Sequence, residues 1–196
     1  MKTIILDRDG VINEDSDAYI KSVEEWKPIP GALEAIARLC RNDYRIVVAT
    51  NQSGVARGLF SIDTLNSIHH HMLKEVRNKG GMIEAIFFCP HGPDEDCQCR
   101  KPRTGMLREI AVRMKIETSG VPVVGDSMRD LQAAHDSGAI PVLVLTGKGR
   151  KTSRQLKKKD SPIPSSDVIQ YASLEAFAEA LLAGELNNII QKRLDA

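Results

Sequence analysis

Short apolar runs alternate along the chain with longer segments in which apolar residues recur every three or four positions. The runs predict buried β-strands and the longer segments predict amphipathic helices, so their order indicates β-α units around a mainly parallel sheet. The predicted strands are residues 3–6, 45–50, 85–89, 121–125 and 140–145. The predicted helices cover about 30–40, 61–80, 104–114, 131–138 and 173–184.

The length of 196 residues suits a single domain over 1–196. We expect its core over about residues 1–150, followed by C-terminal helices within 151–196. Residues 147–166 are rich in Lys, Ser and Pro and predict an irregular basic connector. Three consecutive histidines, 69–71, fall on a predicted helix. Since neighbouring helical residues point in different directions, we expect them on the helix surface and edge rather than on one metal ion.

Acidic and polar clusters follow several predicted strands at the point where each strand ends. Asp7 and Asp9 follow the first strand, the segment 50–53 follows the second, and Asp126 follows the fourth, with Asp130 close behind. Ligands of open α/β sheets bind outside the carboxyl ends of the strands, so we expect these side chains to meet there. Asp7 and Asp9 could instead be ordinary turn residues. That alternative does not explain why Asp126 also ends an apolar strand.

Three of the four cysteines lie close together, and a histidine lies among them. Cys89, His91, Cys97 and Cys99 supply a complete tetrahedral ligand set for a structural Zn²⁺ ion. The alternative is a group of buried reduced thiols, but the polar residues between the two ligand pairs form a poor place to bury them. The remaining Cys40 is expected to be a small core residue.

Charge and hydropathy narrow the class of protein. The net charge of +1 argues against broad binding to nucleic acids or membrane surfaces, and no apolar stretch approaches membrane-spanning length. The apolar run at the N-terminus is too short for a signal peptide. We therefore expect a cytoplasmic protein with reduced thiols.

The strand-end motifs together resemble the haloacid dehalogenase-like phosphatases, and within them the zinc-containing histidinol-phosphatase group. The resemblance depends on residues 7–13 (Asp-Arg-Asp-Gly-Val-Ile-Asn), residues 50–58 (Thr-Asn-Gln-Ser-Gly-Val-Ala-Arg-Gly), and the Cys-Pro-His and Cys-Gln-Cys-Arg-Lys-Pro sequences. It covers roughly residues 1–150. It implies a Rossmann-like three-layer sandwich and a Mg²⁺-dependent hydrolase of phosphoric monoesters that forms an aspartyl-phosphate.

Carried over by motif position, the resemblance assigns roles to individual residues. Asp7 would be the nucleophile and Asp9 the general acid and base, with Thr50 and Lys101 stabilising the transferring phosphoryl group. The implied Mg²⁺ ligands are Asp7, the backbone carbonyl of Asp9 and Asp126, with Asp130 supporting them from behind. The residues expected to contact substrate are Asn13, Asp15, Tyr19, Asn51, Gln52, Ser53, Arg57, Arg100 and Ser127.

The spacing of the motifs bears on the substrate. The segments 11–45 and 55–100 leave no room for a lid domain, so we expect an open site and recognition by loops. A small phosphorylated metabolite, in particular a sugar bisphosphate, is the favoured substrate, and the group implies a monomer. Histidinol phosphate stays open, because Asp15 and Asp17 could bind its cationic amine. A polynucleotide substrate is disfavoured by the balanced charge, and a non-catalytic zinc-stabilised binding module by the complete motif set.

Two departures from relatives concern the substrate rather than the chemistry. Ser127 stands where some relatives have a Lys, and the loop between the two pairs of expected zinc ligands is short.

Overall fold

A computed structural model describes residues 2–194 and contains one mixed α/β fold around a parallel sheet. Within that range the sheet has six strands in the order β3-β2-β1-β4-β5-β6. The strands are β1 (Lys2–Leu6), β2 (Tyr44–Asn51), β3 (Ala85–Cys89), β4 (Pro122–Gly125), β5 (Ile140–Val144) and β6 (Ile169–Tyr171). All neighbouring pairs are parallel, which confirms the predicted sheet.

Helices cover both faces of the sheet. They are α1 (Ala32–Arg41), α2 (Ile62–Asn78), α3 (Gly105–Met114), α4 (Met128–Asp136), α5 (Gly149–Leu156), α6 (Leu174–Leu182) and α7 (Asn187–Leu194). Side chains alternate along β1, so that Ile4 and Leu6 pack in the cluster that holds α1 and α6, while Ile5 packs in the cluster that holds α3. The result is the three-layer sandwich that the resemblance to the haloacid dehalogenase-like phosphatases implies.

The C-terminal third is more ordered than its composition suggests. The expected connector 147–166 contains α5, whose Leu156 packs with Ile163 and with Leu143 of β5 in a small apolar cluster. The pattern was hard to detect because α5 buries few apolar residues within a strongly polar stretch. The short strand β6 was missed, and α7 was expected only as one of the C-terminal helices within 151–196, without bounds of its own.

His69 is buried rather than on the helix surface. Only 6% of it is exposed, and its ring lies edge-on to Phe88 with 5.8 Å between ring centroids. Burial and the nearby charge of Arg8 lower its pKa to about 3, so it is neutral. The expectation of a surface position was wrong for His69 because α2 presses that side against the end of β3. His70, in contrast, is exposed.

The strand order brings the predicted motifs together. β1 lies between β2 and β4, and Leu6 pairs in register with both Val48 and Val124. The backbone N–H of Asp7 then donates to the carbonyl of Val124 at 2.8 Å. The carboxyl end of β1 is thus the topological switch point of the sheet, where α/β folds bind ligands.

The helices found between residues 2 and 194 are all too short or too polar to cross a lipid bilayer.

Candidate active site

A polar cavity of about 340 Å³ opens at the carboxyl ends of β1, β2, β4 and β5. It collects nearly all of the site residues predicted from the sequence. These are Asp7, Asp9, Asp15, Tyr19, Thr50, Asn51, Gln52, Ser53, Arg57, Arg100, Lys101, Asp126, Ser127 and Asp130. Residues from four separate strand ends and the Cys/His loop therefore face one space.

Lys101 lies at the centre of the charged groups. Its ammonium is 3.1 Å from Asp7 Oδ1, 2.5 Å from Asp130 Oδ1, and donates to the carbonyl of Ala49 at 2.7 Å. Burial opposes its charge, but Asp130 and Asp7 together raise the pKa of Lys101, so it stays protonated. Burial and repulsion by Asp130 raise the pKa of Asp7 to about 7 even with this ammonium present.

Three carboxylates crowd one side of the cavity. Asp7, Asp126 and Asp130 place oxygens within 4.8 Å of one another. Burial and repulsion by Asp130 and Asp7 raise the pKa of Asp126 to about 8. Buried carboxylates that repel each other in this way are stabilised by a cation, and carboxylate oxygens are the ligands that Mg²⁺ prefers. The donor set therefore fits Mg²⁺.

Asp130 is oriented by several donors besides Lys101. The backbone N–H and the hydroxyl of Ser127 both donate to Asp130 Oδ2, at 3.1 and 2.6 Å. Although burial acts in the opposite direction, Lys101 and Ser127 lower the pKa of Asp130. Asp130 is thus an ionised group that holds Lys101 and Ser127 next to Asp126.

Asp9 lies in a separate set of donors on the other side of Asp7. Arg8 Nε and Nη2 donate to its two oxygens at 3.0 Å each, Asn13 donates at 2.8 Å, and Gln52 donates at 2.9 Å. Burial alone would raise the pKa of Asp9, but these donors, led by Arg8, lower it. Asn13 was expected to contact substrate, yet it is fully buried and its amide donates to Asp9 and to the carbonyl of Glu14.

The end of β2 connects the strand to the loop that carries Lys101. The Asn51 amide donates to the carbonyl of Lys101 at 3.0 Å and accepts from the Lys101 N–H at 3.1 Å. Gln52 donates to the Thr50 hydroxyl as well as to Asp9. These bonds hold Thr50 and Lys101 at fixed positions relative to Asp7.

The Cys/His loop brings its four expected ligands together. Cys89, His91, Cys97 and Cys99 place ligand atoms within 4.8 Å of one another. The sulfurs of Cys89 and Cys97 are 3.7 Å apart, and His91 Nδ1 is 3.3 Å from the sulfur of Cys99. Tetrahedral zinc with bonds of about 2.3 Å to sulfur requires sulfurs about 3.8 Å apart. The cluster therefore fits Zn²⁺.

Arg100 connects the Cys/His loop to the cavity. Its Nη1 donates to the carbonyl of His91 at 3.1 Å, and its side chain lines the cavity next to Lys101. Arg57, which follows β2, lines the same flank and is exposed.

Two basic residues of the opposite flank were missed by the sequence analysis. Lys148 donates its backbone N–H to Asp126 at 2.7 Å, and its ammonium lies 2.8 Å from Asp15 and 3.4 Å from Asp17. Arg129, in the first turn of α4, also lines the cavity. Lys148 lies in the loop between β5 and α5, within the segment expected to be a basic connector, so the strand-end argument used for Asp126 did not single it out.

Comparisons with known proteins agree with this geometry. Residues 98–170 match the HAD-hydrolase-like family model. The D-glycero-β-D-manno-heptose-1,7-bisphosphate 7-phosphatase of Bordetella bronchiseptica is 59% identical over 155 residues, which cover 79% of this chain and 87% of that protein. The protein of the same name from Pseudomonas putida is 50% identical over 182 residues, 93% of this chain and 100% of that protein.

Solved structures agree as well. The crystal structure of the D,D-heptose 1,7-bisphosphate phosphatase from B. bronchiseptica, complexed with magnesium and phosphate, superposes with a TM-score of 0.89 at 54% identity, covering 94% of this chain and 99% of that one. The enzyme of that name from Burkholderia thailandensis superposes with a TM-score of 0.72 at 43% identity, covering 93% and 99%. The chain therefore belongs to the haloacid dehalogenase-like hydrolases, in the family of the heptose-1,7-bisphosphate 7-phosphatases.

Proposed function

We propose that the protein is a Mg²⁺-dependent phosphatase that removes the 7-phosphate of D-glycero-D-manno-heptose 1,7-bisphosphate. The reaction would serve the synthesis of nucleotide-activated heptose for the lipopolysaccharide core. The observation that carries this proposal is the cavity in which Asp7, Lys101 and Asp126 meet, in a chain 48–59% identical over most of its length to three bacterial proteins of that name.

In the first half-reaction, an Asp7 oxygen attacks the phosphorus of the 7-phosphate. A phosphorus–oxygen bond to Asp7 forms, the bond to the sugar oxygen breaks, and Asp9 supplies the proton that this oxygen needs. Lys101, the Thr50 hydroxyl and the backbone N–H of Asn51 bind the oxygens of the transferring group. A Mg²⁺ ion held by Asp7, the Asp9 carbonyl and Asp126 would neutralise phosphoryl charge.

In the second half-reaction, water attacks the phosphorus of the aspartyl-phosphate. Asp9, now a carboxylate, accepts a proton from that water. The bond between phosphorus and Asp7 breaks, so inorganic phosphate leaves and the Asp7 carboxylate is restored. The heptose 1-phosphate product carries the phosphate that never reached Asp7.

We assign a structural Zn²⁺ ion to Cys89, His91, Cys97 and Cys99. The support is the tetrahedral spacing of their ligand atoms together with the bond from Arg100 to the carbonyl of His91. The ion would order a polar loop that has little apolar packing of its own, and would so hold Arg100 and Lys101 at the cavity. Arg100 would then bind the second phosphate, since a guanidinium binds such anions with two parallel hydrogen bonds.

Histidinol phosphate is the competing substrate, and the charges at the entrance weigh against it. Asp15 and Asp17, the acids that would bind its amine, are paired with Lys148. The competition is decided by kcat/KM measured on both substrates side by side, with Asp7→Asn as the inactive control. We expect a higher kcat/KM for the heptose bisphosphate, whose second phosphate can pair with Arg100. Equal values, or a preference for histidinol phosphate, would contradict the substrate assignment and leave the phosphatase chemistry intact.

We further propose that the protein works in the cytoplasm, where thiols stay reduced and can bind zinc. A monomeric state stays a prediction, to be measured by light scattering coupled to gel filtration.

A further inference from the structure

Arg8 is the largest completely buried side chain in the part of the chain that the structure describes. It stands between the two acids of the first motif and has no exposed surface. Its Nε and Nη2 donate to the two oxygens of Asp9, whereas Nη1 has no hydrogen-bond partner within residues 2–194. A buried ion pair often contributes less stability than apolar residues of the same size would. The fold alone therefore does not explain this arginine.

The donors around Asp9 occupy all of its accepting positions. Oδ1 accepts from Arg8 Nε and Asn13, and Oδ2 accepts from Arg8 Nη2 and Gln52. A carboxylate has about four lone-pair positions, so none is left for a proton in this arrangement. Proton transfer through Asp9 therefore requires one donor to leave.

The donors differ in how freely they can leave. Asn13 is fully buried, and its amide is also bound to the carbonyl of Glu14. Arg8 makes two parallel bonds and is held by three backbone N–H groups on its own carbonyl, from residues 11–13. Gln52 makes one bond to Asp9, lines the cavity, and has the Thr50 hydroxyl as a second acceptor. Gln52 is thus the donor that can yield, which opens Oδ2 towards the cavity.

We propose that Arg8 is a positioning residue that fixes the plane of the Asp9 carboxylate, so that Oδ2 is the oxygen that exchanges the proton with substrate and water. The inference rests on the acid and base role of Asp9 in the proposed function. Arg8 itself does not touch the substrate. Arg8 affects the reaction only through Asp9. The two steps that depend on it are proton donation to the leaving oxygen and proton removal from the attacking water.

The two half-reactions depend on Asp9 in different ways, which makes the role testable. A nitrophenolate leaving group needs no proton, so an activated aryl phosphate can still phosphorylate Asp7 when Asp9 is misaligned. Water must still lose a proton in the second half-reaction, whatever the first leaving group was. Loss of alignment should therefore slow alkyl substrates most and make the aspartyl-phosphate accumulate with 4-nitrophenyl phosphate.

The experiment compares the Mg²⁺-loaded wild type with Arg8→Met, Arg8→Lys and the control Arg45→Met. Arg45 likewise makes two bonds to one carboxylate, that of Glu84, but lies in β2 on the side remote from the cavity. For Arg8→Met we expect kcat on the sugar bisphosphate to fall by about 10²-fold or more, the size of a typical acid–base contribution. We expect a smaller fall with 4-nitrophenyl phosphate, and a larger fraction of phosphorylated enzyme in acid-quenched samples. Arg8→Lys keeps the charge and loses the planar fork, so its kcat should lie between those of the wild type and Arg8→Met.

Other results would contradict the positioning role or the proposed function. If Arg8→Met lowers kcat by the same factor on both substrates and the fraction of phosphorylated enzyme does not rise, Arg8 is only a structural residue. If Arg8→Met does not fold, Arg8→Lys and Asn13→Ala carry the same comparison, because Asn13→Ala removes a donor to Asp9 without leaving a charge unpaired. A wild type that turns over neither substrate would contradict the proposed function, and the positioning role with it.

Discussion

Replacing Lys101 by Met tests whether the buried charges of the cavity depend on one ammonium. Lys101 is 2% exposed and is the basic side chain that bridges Asp7 and Asp130. Its removal leaves two buried carboxylates without a cation in the metal-free protein. Breaking a buried pair in this way costs about 3–5 kcal/mol of the free energy of unfolding. For a domain of this size that corresponds to a fall in Tm of about 6–20 °C.

The pH dependence distinguishes lost charge from lost packing. In the wild type, Lys101 lowers the pKa of Asp130, so Asp130 contributes stability above its unfolded-state pKa and loses it as the pH falls. Without Lys101, burial would raise the pKa of Asp130, and further raise that of Asp7 from about 7. A carboxyl group with a raised folded-state pKa destabilises the fold at high pH and regains about 1.4 kcal/mol per pH unit below that pKa. The stability gap between variant and wild type should therefore be largest near pH 8 and shrink towards pH 5.5.

The assay is thermal unfolding in EDTA at several pH values, followed by kcat with Mg²⁺. The control is Lys79→Met, which breaks the exposed pair with Glu34 (2.7 Å) and should leave both Tm and kcat nearly unchanged, because solvent screens this pair. For Lys101→Met, kcat should fall by about 10²–10³-fold, the usual cost of losing one contact to developing charge. A stability gap that is constant from pH 8 to pH 5.5 would refute the electrostatic reasoning and indicate that Lys101 acts through packing.

Three other substitutions separate the roles of the nucleophile, the zinc ligands and Arg100. Asp7→Asn should abolish turnover on every phosphate ester with an unchanged circular dichroism spectrum, because an amide cannot form the phosphoryl intermediate; near-normal turnover would reject Asp7 as nucleophile. Cys97→Ser should lower bound zinc from one ion per chain, loosen residues 89–101 in hydrogen exchange and lower activity while the core stays folded; wild-type protein purified without chelator and free of zinc would contradict the metal assignment. Arg100→Ala should reduce kcat/KM strongly for the heptose bisphosphate and much less for an aryl phosphate, since the smaller ligand lacks a second phosphate; an equal reduction would place Arg100 in the chemical step.

Much of the sheet was predictable because its strands are short, continuous apolar runs. Ile4 to Leu6 and Ile46 to Ala49 are buried on both faces of a parallel sheet, and such strands leave an unambiguous pattern. The strand β6 has three residues, none of them fully buried, so it leaves almost no pattern to detect.

The site was predictable where an acidic residue directly follows a strand, as Asp7 and Asp126 do. Lys101 lies outside a strand, and only the resemblance to the phosphatases singled it out. Asn13 turns towards Asp9 within its own loop, whereas the contact of Lys148 with Asp15 and Asp126 depends on how two distant loops pack. No local pattern in the sequence encodes that packing.

³¹P NMR of D-glycero-D-manno-heptose 1,7-bisphosphate, recorded during turnover by the wild-type protein with Mg²⁺, shows which of the two phosphates is removed. We expect the 7-phosphate signal to disappear, inorganic phosphate to appear in equal amount, and the anomeric 1-phosphate signal to persist. Loss of the 1-phosphate, loss of both phosphates at similar rates, or no change in the spectrum would contradict the proposed function.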